Sequence, residues 1–268
     1  MARVAGTEPL VTARLRGGVG IVTLNRPERH NALTLESFRA LKAALGEMAG
    51  SGECRVVVLA AAGPSFCSGL DLKSNFLAPG PRGAVGTYDA MRLAVSVILL
   101  MREMPQPMIA AVQGHAVGAG FAFATACDLR VAGQDASFNA VFTRIGMTPG
   151  DLGLSWFLPR LIGPTAAAEV FYTGGVIDAA NAMKLGLVNR VAKDPLAETL
   201  GLAEEIASRS PMGVRQTKEL LNASLGMSGF REHLEIELRS QVICSMTSDH
   251  AEARVAFAEN RDPVFTDS

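Results

Sequence analysis

Two short runs of apolar, β-branched residues constrain the fold of this chain most. They are VGIVTLN at 19–25 and RVVVLAA at 55–61, and uninterrupted runs of this kind are typical of buried strands. Between them, Thr34 is a candidate N-cap for a helix whose apolar residues recur at helical spacing: Leu35, Phe38, Leu41, Leu45 and Met48. Strand, helix and strand in this order predict an α/β domain with largely buried strands.

The same alternation continues to about residue 194. Further strands are predicted at PMIAAVQG (107–114), DLRVA (128–132) and ASFNA (136–140). Helices are predicted at TAAAEVFY (165–172), which ends at Gly174–Gly175, and at DAANAMKL (178–185). From residue 195 the sequence predicts only helices, at 196–209, 212–225, 230–243 and 249–260. We therefore expect an α/β core over 1–194 and a helical region over 195–268 that docks on the core or on a neighbouring subunit.

Charge and hydropathy exclude several classes of partner. With 25 basic and 26 acidic residues the net charge is −1, which gives no reason to expect nucleic acid or an anionic membrane. The longest apolar run, AVSVILLM at 94–101, is far shorter than the roughly 20 residues that span a bilayer. The N-terminal residues MARVAGTEPL contain no apolar signal core. These features predict a soluble, cytoplasmic protein with no membrane partner.

Cysteine and histidine spacing argues against a metal site. The four cysteines, Cys54, Cys67, Cys127 and Cys244, form no CxxC pair and are expected to be reduced thiols. The four histidines lie far apart in the sequence and include no HExxH pattern.

A glycine-rich stretch, GHAVGAGFAFATACD at 114–128, opens a predicted helix that carries no acid, base or strong nucleophile between Ala116 and Cys127. Dinucleotide binding is a weak interpretation, because that fingerprint follows the first strand of its fold and this stretch lies in mid-chain. A second glycine-bearing turn, AAGPSFCSGLDL at 61–72, directly follows the strand RVVVLAA. Two such turns on neighbouring strands can aim one N–H each at a carbonyl oxygen, so the backbone itself becomes the reactive element.

Several motifs resemble the enoyl-CoA hydratase/isomerase (crotonase) family. They include LNRPERHNAL (24–33), FCSGLDL (66–72), AAVQGHAVGAGFAFATACDLR (110–130) and IGMTPGDLGLSWFLPRLIG (145–163), and the likeness continues through FYTGG (171–175), AMKLGLVNRVA (182–192) and AFAEN (256–260). The resemblance implies a crotonase-like spiral of ββα units, a C-terminal helical trimerisation region and assembly as a homotrimer or homohexamer. It also implies an acyl-CoA or enoyl-CoA thioester as substrate, with coenzyme A as part of that substrate and no permanently bound cofactor.

The resemblance assigns the two N–H groups of an oxyanion hole to Leu70 and Ala119. It places the CoA moiety over a short segment of backbone formed by Ser68, Leu70, Asp71 and Leu72. Arg26 is a candidate partner for the CoA phosphates, with a solvated surface arginine as the alternative. Phe257 is a candidate adenine contact, made within one subunit or from a neighbouring one. For the Asp71 side chain, stabilisation of the turn is the favoured interpretation.

The chain departs from the family pattern at its acids. The alignment of motifs puts Ala122 and Phe142 where hydratases of the family carry two glutamates, and neither side chain can transfer a proton. Asp151, in TPGDLGLSW, is the remaining candidate acid or base, and its alternative role is an N-cap of the following helix. If Asp151 is catalytic, Trp156 and Phe142 are expected to form walls of the pocket, although both could be core aromatics.

Four other polar residues lie near these motifs. His115 could reach the site, but a packed, hydrogen-bonded residue is the favoured interpretation. Asp128 and Arg130 are expected to make structural interactions at the start of a strand, and Cys67 is expected to pack.

Two functions of different class therefore remain open. One is an enzyme, a divergent hydratase, isomerase or lyase that stabilises a thioester enolate and uses Asp151. The other is a non-catalytic acyl-CoA carrier that keeps the oxyanion hole for binding. The Gly- and Pro-rich segment 76–89 is expected to cover the acyl pocket as a mobile loop.

Overall fold

The computed structural model describes residues 8–74, 83–227 and 229–268. The strands in these ranges are β1 (Val11–Arg16), β2 (Val19–Leu24), β3 (Val56–Ala61), β4 (Met108–Val112), β5 (His115–Val117), β6 (Leu129–Gly133), β7 (Ser137–Asn139), β8 (Val176–Asp178) and β9 (Arg190–Ala192). The helices are α1 (Leu35–Gly50), α2 (Gly83–Glu103), α3 (Ala119–Ala126), α4 (Leu154–Ile162), α5 (Pro164–Thr173), α6 (Ala179–Lys184), α7 (Pro195–Ala207), α8 (Pro211–Ser224), α9 (Phe230–Ser245) and α10 (Ser248–Glu259).

The strands form two sheets. The larger has the order β1-β2-β3-β4-β6-β9, in which β1 pairs antiparallel with β2 and the other pairs are parallel. The smaller has the order β5-β7-β8. The α/β class predicted from the sequence is therefore confirmed.

Alternate residues of the central strands enter two separate cores, as the period of a strand requires. In β3, Val57 and Leu59 face the core that α1, α2 and α3 cover. Val56, Val58 and Ala60 face the opposite side of the sheet. Helix α7 covers that side with residues such as Ala203 and Ala207, so the first helix after residue 194 packs on the sheet itself.

Local sequence signals fix the ends of several helices. Helix α1 begins with a capping box, in which Thr34 Oγ1 accepts from the Ser37 N–H and Ser37 Oγ accepts from the Thr34 N–H, both at 3.2 Å. Helix α5 ends at Gly174, whose φ of 61° gives the left-handed cap expected there.

The remaining C-terminal helices lie further from the sheet. Helix α8 is attached through buried Lys218, whose Nζ donates to Met101 O and Gln106 O at 3.1 and 2.8 Å. Helix α9 buries only Ser240, while its apolar residues Phe230, Leu234, Leu238, Val242 and Ile243 are exposed. The prediction of a domain boundary at 194/195 stays a prediction.

Helix α2 is the one element, among the described residues, that is long and apolar enough to cross a membrane by length and composition alone, with a mean hydropathy of 1.5. The core helix of a soluble protein passes the same test. Part of its surface, at Ala94, Val97, Ile98 and Met101, is buried in the main core. Of the predicted loop 76–89, residues 76–82 lie outside the described part of the chain, whereas 83–89 form the first turns of α2.

Candidate active site

Two strand ends bring the glycine-bearing turns together. Strands β3 and β4 are parallel neighbours, so the segments that follow them leave the sheet at the same edge. The segment after β3 pairs with β5: the Cys67 N–H donates to His115 O, and the Val117 N–H donates to Cys67 O, both at 2.9 Å. This arrangement confirms the prediction that the two turns lie on neighbouring strands.

Glycines allow the two turns to touch. A Cβ at Gly120 would lie 2.3 Å from Cys67 O, and a Cβ at Gly69 would lie 2.8 Å from Val117 O and 3.6 Å from Ala119 N. No side chain fits at either position without moving the backbone. Gly118, which precedes α3, has a φ of 53° and so adopts a conformation that glycine accepts readily.

Two N–H groups remain free at this junction. Among the hydrogen bonds of the described residues, neither the Leu70 N–H nor the Ala119 N–H is a donor. Ala119 is the first residue of α3 and is not among the residues with positive φ, so alanine keeps the N–H there without strain. The positive end of the α3 dipole adds to the field at the same point.

Both residues line one small cavity of about 70 Å³. Its other described lining residues are Ser68, Gly69, Leu72, Val117, Gly118, Val141, Phe142, Ile145, Met147 and Asp151. Of these, only Asp151 is titratable, so a single carboxyl group faces an otherwise apolar or backbone surface.

Asp151 is buried, with 7% of its surface exposed, and burial raises the pKa of its carboxyl group. Its side chain accepts no hydrogen bond within the described residues. The alternative that Asp151 caps α4 is wrong, because Gly153 is the N-cap and no side-chain cap bond is made. The Leu154 N–H instead donates to the backbone oxygen of Asp151.

Neither of the two side chains at the expected glutamate positions has an ionisable group that could donate or accept a proton. Ala122 is fully buried in α3. Phe142 lies in the short 3-10 helix Val141–Ile145 and lines the cavity, where its Cζ would lie 3.8 Å from a Cβ at Gly118. An aromatic ring therefore fills this part of the site.

Arg26 and Asp71, which the resemblance assigns to ligand contacts, contact each other. Arg26 Nη1 lies 2.7 Å from Asp71 Oδ2 and also donates to Ala32 O at 3.0 Å. Asp71 Oδ1 accepts from the Lys73 N–H at 3.0 Å, which agrees with the favoured turn-stabilising role of this side chain. The Arg26 bonds lower the pKa of the Asp71 carboxyl group. Arg26 therefore has protein partners and is not a freely solvated arginine.

The other assigned ligand residues differ in exposure. Ser68 and Leu72 line the cavity, and the Ser68 N–H is already bonded to His30 O at 2.9 Å. Phe257, on α10, is 87% exposed and is not among the residues that line this cavity. Its assignment to an adenine ring stays a prediction.

Trp156 does not lie with Asp151, contrary to expectation. It lines a different cavity, of about 750 Å³, together with Arg102, Phe157 and Lys218. Trp156 is 46% exposed, and the guanidinium of Arg160 lies 3.4 Å from its ring centroid. Because α4 begins only at Leu154, its first turn directs Trp156 away from the cavity that contains Asp151.

The structural interpretations of Asp128, Arg130 and Cys67 hold, whereas His115 is hydrogen-bonded as expected but is not packed. His115 is exposed and its Nδ1 is 2.8 Å from Ser137 Oγ. Asp128 pairs with Arg102 and Lys218, and buried Arg130 donates to Leu187 O and Cys127 O. Burial raises the pKa of the Cys67 thiol to about 12, so this residue packs and is not a reactive thiolate.

Sequence analysis missed Asn31, which holds the turn that carries Leu70. Its Nδ2 donates to Ala62 O and Ser65 O at 2.9 and 2.8 Å, and its Oδ1 accepts from the Arg26 N–H at 2.8 Å. The available signal was its place in the motif LNRPERHNAL. Ile145 and Met147 were also missed as lining residues, although they lie in the quoted motif IGMTPGDLG.

Comparison with known proteins agrees with this geometry. The sequence model of the enoyl-CoA hydratase/isomerase family matches residues 14–268. A Mycobacterium bovis protein named "Probable enoyl-CoA hydratase" is 38% identical, over 94% of this chain and 90% of its own length.

Solved structures show the same fold. An enoyl-CoA hydratase from Bacillus anthracis superimposes with a TM-score of 0.91 at 31% identity, covering 97% of this chain and 100% of that structure. An enoyl-CoA hydratase from Mycobacterium smegmatis gives a TM-score of 0.88 at 32% identity, covering 96% and 99% respectively. The chain therefore has the crotonase-like fold and belongs to the enoyl-CoA hydratase/isomerase family.

Proposed function

We propose that this protein binds an enoyl-CoA thioester with its carbonyl group in the 70 Å³ cavity and shifts the double bond by proton transfer. The observation that carries the proposal is the meeting, in one cavity, of two N–H groups that have no acceptor and one buried carboxyl group that has no donor among the described residues. The N–H groups of Leu70 and Ala119 hold the thioester oxygen. Asp151 carries the proton.

The proposed reaction balances with these groups alone. The Asp151 carboxylate removes a proton from the carbon next to the thioester carbonyl of a 3-enoyl-CoA. The electrons of that C–H bond form the enolate, whose negative oxygen accepts the two hydrogen bonds. Asp151 then returns the proton to the fourth carbon, and the double bond comes to lie between the second and third carbons. No water is consumed, so two carboxylates are not required.

The small, apolar lining favours proton transfer over hydration. Hydration needs a water molecule held and activated beside the third carbon, and positions 122 and 142 offer an alanine and a phenylalanine there. With a single acid lining the site, the proton can leave and return within the substrate. Ser68, Leu70 and Leu72 would border the path of the remaining CoA chain. Phe257, if it contacts adenine, would do so from the surface of α10.

A second candidate function is a non-catalytic acyl-CoA carrier. The observation that favours it is the replacement of both expected glutamates by Ala122 and Phe142. In that case the N–H pair binds the thioester oxygen and Asp151 has no chemical role.

Assembly as a homotrimer or a pair of trimers through the helical region 195–268 is part of the proposal. It is supported by the exposed apolar residues of α9, which recur at every fourth position: Phe230, Leu234, Leu238 and Val242. One face of this helix lacks a partner within the described chain, as expected for a helix that packs on another subunit.

The decisive experiment is mass spectrometry of saturated, 2-enoyl- and 3-enoyl-CoA thioesters after incubation in deuterated water. The wild-type protein is expected to incorporate deuterium next to the thioester and to interconvert 2-enoyl and 3-enoyl isomers. Asp151→Asn should lower the exchange rate by about a hundredfold or more. Asp262→Asn, at an exposed aspartate, is the matched control and should exchange at the wild-type rate.

Each other outcome decides against part of the proposal. Equal exchange by the wild type and Asp151→Asn would remove Asp151 from the mechanism. A mass gain of one water molecule would indicate hydration. Binding of thioesters without exchange or conversion of any of them would indicate a carrier.

A further inference from the structure

The direction of the Leu70 N–H is set by a loop that lies far away in the sequence. Leu33 forms an isolated parallel bridge with Leu70. In this bridge, the Leu33 N–H donates to Gly69 O at 2.8 Å and Leu33 O accepts from the Asp71 N–H at 2.9 Å. Since backbone groups of successive extended residues point to opposite sides, the N–H of Leu70 itself points away from Leu33. That side is the cavity.

The ion pair between Arg26 and Asp71 links the same two segments that this bridge joins. Arg26 Nη1 lies 2.7 Å from Asp71 Oδ2, and the same nitrogen donates to Ala32 O at 3.0 Å. It thereby joins the residue before Leu33 to the residue after Leu70. The two side chains are only 19% and 13% exposed, so solvent screens this pair less than a surface pair.

We propose that Arg26 and Asp71 are positioning residues that aim the Leu70 N–H at the thioester oxygen. This inference rests on the proposed function, because it gives the pair a role only if Leu70 holds that oxygen. A hydrogen bond to a developing oxyanion depends steeply on placement, and a displacement of about 1 Å can cost a hundredfold in rate. Asp71 directly follows Leu70, so the pair constrains the residue next to the N–H that it is proposed to aim.

The competing role for Arg26 is a direct contact with a CoA phosphate. The two roles predict opposite behaviour of Asp71. If Asp71 positions Leu70, its removal should weaken polarisation of the thioester. If Arg26 binds phosphate, removal of Asp71 should release the guanidinium for the ligand and leave polarisation unchanged.

The test measures the carbonyl stretching band of but-2-enoyl-CoA, labelled with carbon-13 at the thioester carbon, by difference infrared spectroscopy. In the wild-type protein the band should move to lower wavenumber on binding, since the two N–H groups polarise the bond. Asp71→Asn and Arg26→Met should each lose about half of that shift, because one of two donors is misplaced. Arg26→Lys should keep an intermediate shift, since lysine can still donate to Asp71.

Affinity is measured in parallel with CoA and with 3′-dephospho-CoA. For the positioning role, Asp71→Asn and Arg26→Met should bind both molecules about as tightly as the wild type, while deuterium exchange falls about tenfold to a hundredfold. Glu198→Gln is the control: it breaks the exposed Arg190–Glu198 pair, also 2.7 Å apart, and should change neither the band nor the affinity.

The outcomes separate this inference from the proposed function. An unshifted band in the wild-type protein would refute the oxyanion role of Leu70 and Ala119. A shifted band that Asp71→Asn and Arg26→Met leave intact would overturn the positioning role alone. Loss of CoA affinity in Arg26→Met that disappears with 3′-dephospho-CoA would assign Arg26 to the phosphate. Asp71→Asn keeps the size of the side chain and an acceptor for the Lys73 N–H, so it remains informative if Arg26→Met does not fold.

Discussion

The cavity has one wall of backbone and one wall of side chains, and the two are held differently. The backbone wall, residues 66–71 and 117–120, is fixed by hydrogen bonds to β5 and to the loop around Asn31. The side-chain wall, residues 141–151, presents Phe142 and an Asp151 carboxyl group that accepts no bond within the described residues. The backbone around the Leu70 and Ala119 N–H groups is thus held by several hydrogen bonds, whereas the Asp151 carboxyl group has no hydrogen-bond partner among the described residues.

This difference has a consequence for stability. Substitutions in the backbone wall should destabilise the protein, because they break contacts that the fold uses. Substitution of Asp151 should instead leave the fold intact or strengthen it, because a buried carboxylate without partners is unfavourable.

The largest effect is expected for Gly120→Ala. The added Cβ would lie 2.3 Å from Cys67 O and 2.7 Å from Cys67 Cβ, so the two turns must separate. We expect a loss of about 3 kcal/mol or more in the free energy of unfolding, measured by urea denaturation. Gly201→Ala, on α7 with no atom within 4 Å of the new Cβ, is the control and should gain about 0.5–1 kcal/mol. A Gly120→Ala protein as stable as the wild type would show that the backbone wall is not tightly packed.

A smaller loss is expected for Asn31→Ala. The change removes one acceptor and two donor bonds of a buried side chain at a residue whose φ is 56°, where alanine is strained. A loss of about 2 kcal/mol is expected in the same urea experiment. The matched control is Asn25→Ala, since its Nδ2 makes one exposed bond to Pro9 O, and its effect should stay within about 0.5 kcal/mol. Equal effects of both variants would mean that the loop does not support the turn through Asn31.

The smallest effect on stability, with the opposite sign, is expected for Asp151→Asn. Burial raises the folded-state pKa of this carboxyl group above its ordinary value. Protonated Asp151 therefore makes its full favourable contribution to the free energy of unfolding at pH values below the unfolded-state pKa. This contribution is lost as pH rises through the folded-state pKa. The variant should melt at a higher temperature than the wild type at neutral pH, and this advantage should shrink on acidification.

Melting curves from about pH 4 to about pH 8 test this expectation. Asp262→Asn, at an exposed aspartate, should show no pH-dependent difference from the wild type. An Asp151→Asn protein that melts lower than the wild type at neutral pH would indicate that Asp151 stabilises the fold as a carboxylate.

Several of the larger elements of the fold could be predicted because their signals are local, but the 21-residue helix α2 was not, and its first turns were expected to belong to a loop. The runs at 19–25 and 55–61 became β2 and β3, and Thr34 forms the predicted cap. Strand β1 was missed because most of its residues are exposed, with the pattern of an edge strand. Strands β5, β8 and β9 were also missed; they have three residues each, which gives little room for a period of two, although β7, of the same length, was predicted within ASFNA.

The candidate site could be predicted only in part, for a related reason. Two glycine-bearing turns after two buried strands indicated that their N–H groups could converge, and they do lie on one cavity. The sequence could not decide whether Asp151 is a helix N-cap or a carboxyl group in the cavity, because the residues that follow it are compatible with both roles. Likewise, nothing near Trp156 indicated that it lies on the other side of α4.

The sequence by itself determined the α/β order of the core, the glycine turns and the presence of alanine at 122 and phenylalanine at 142, because each depends on neighbouring residues or on residue identity alone. The tertiary structure decided which groups meet: Asn31 with Ala62 and Ser65, Arg26 with Asp71, and Asp151 with the N–H pair. These contacts join residues that are dozens of positions apart. Their geometry depends on how the sheet, the loop and the turns pack, and no local pattern in the chain encodes that packing.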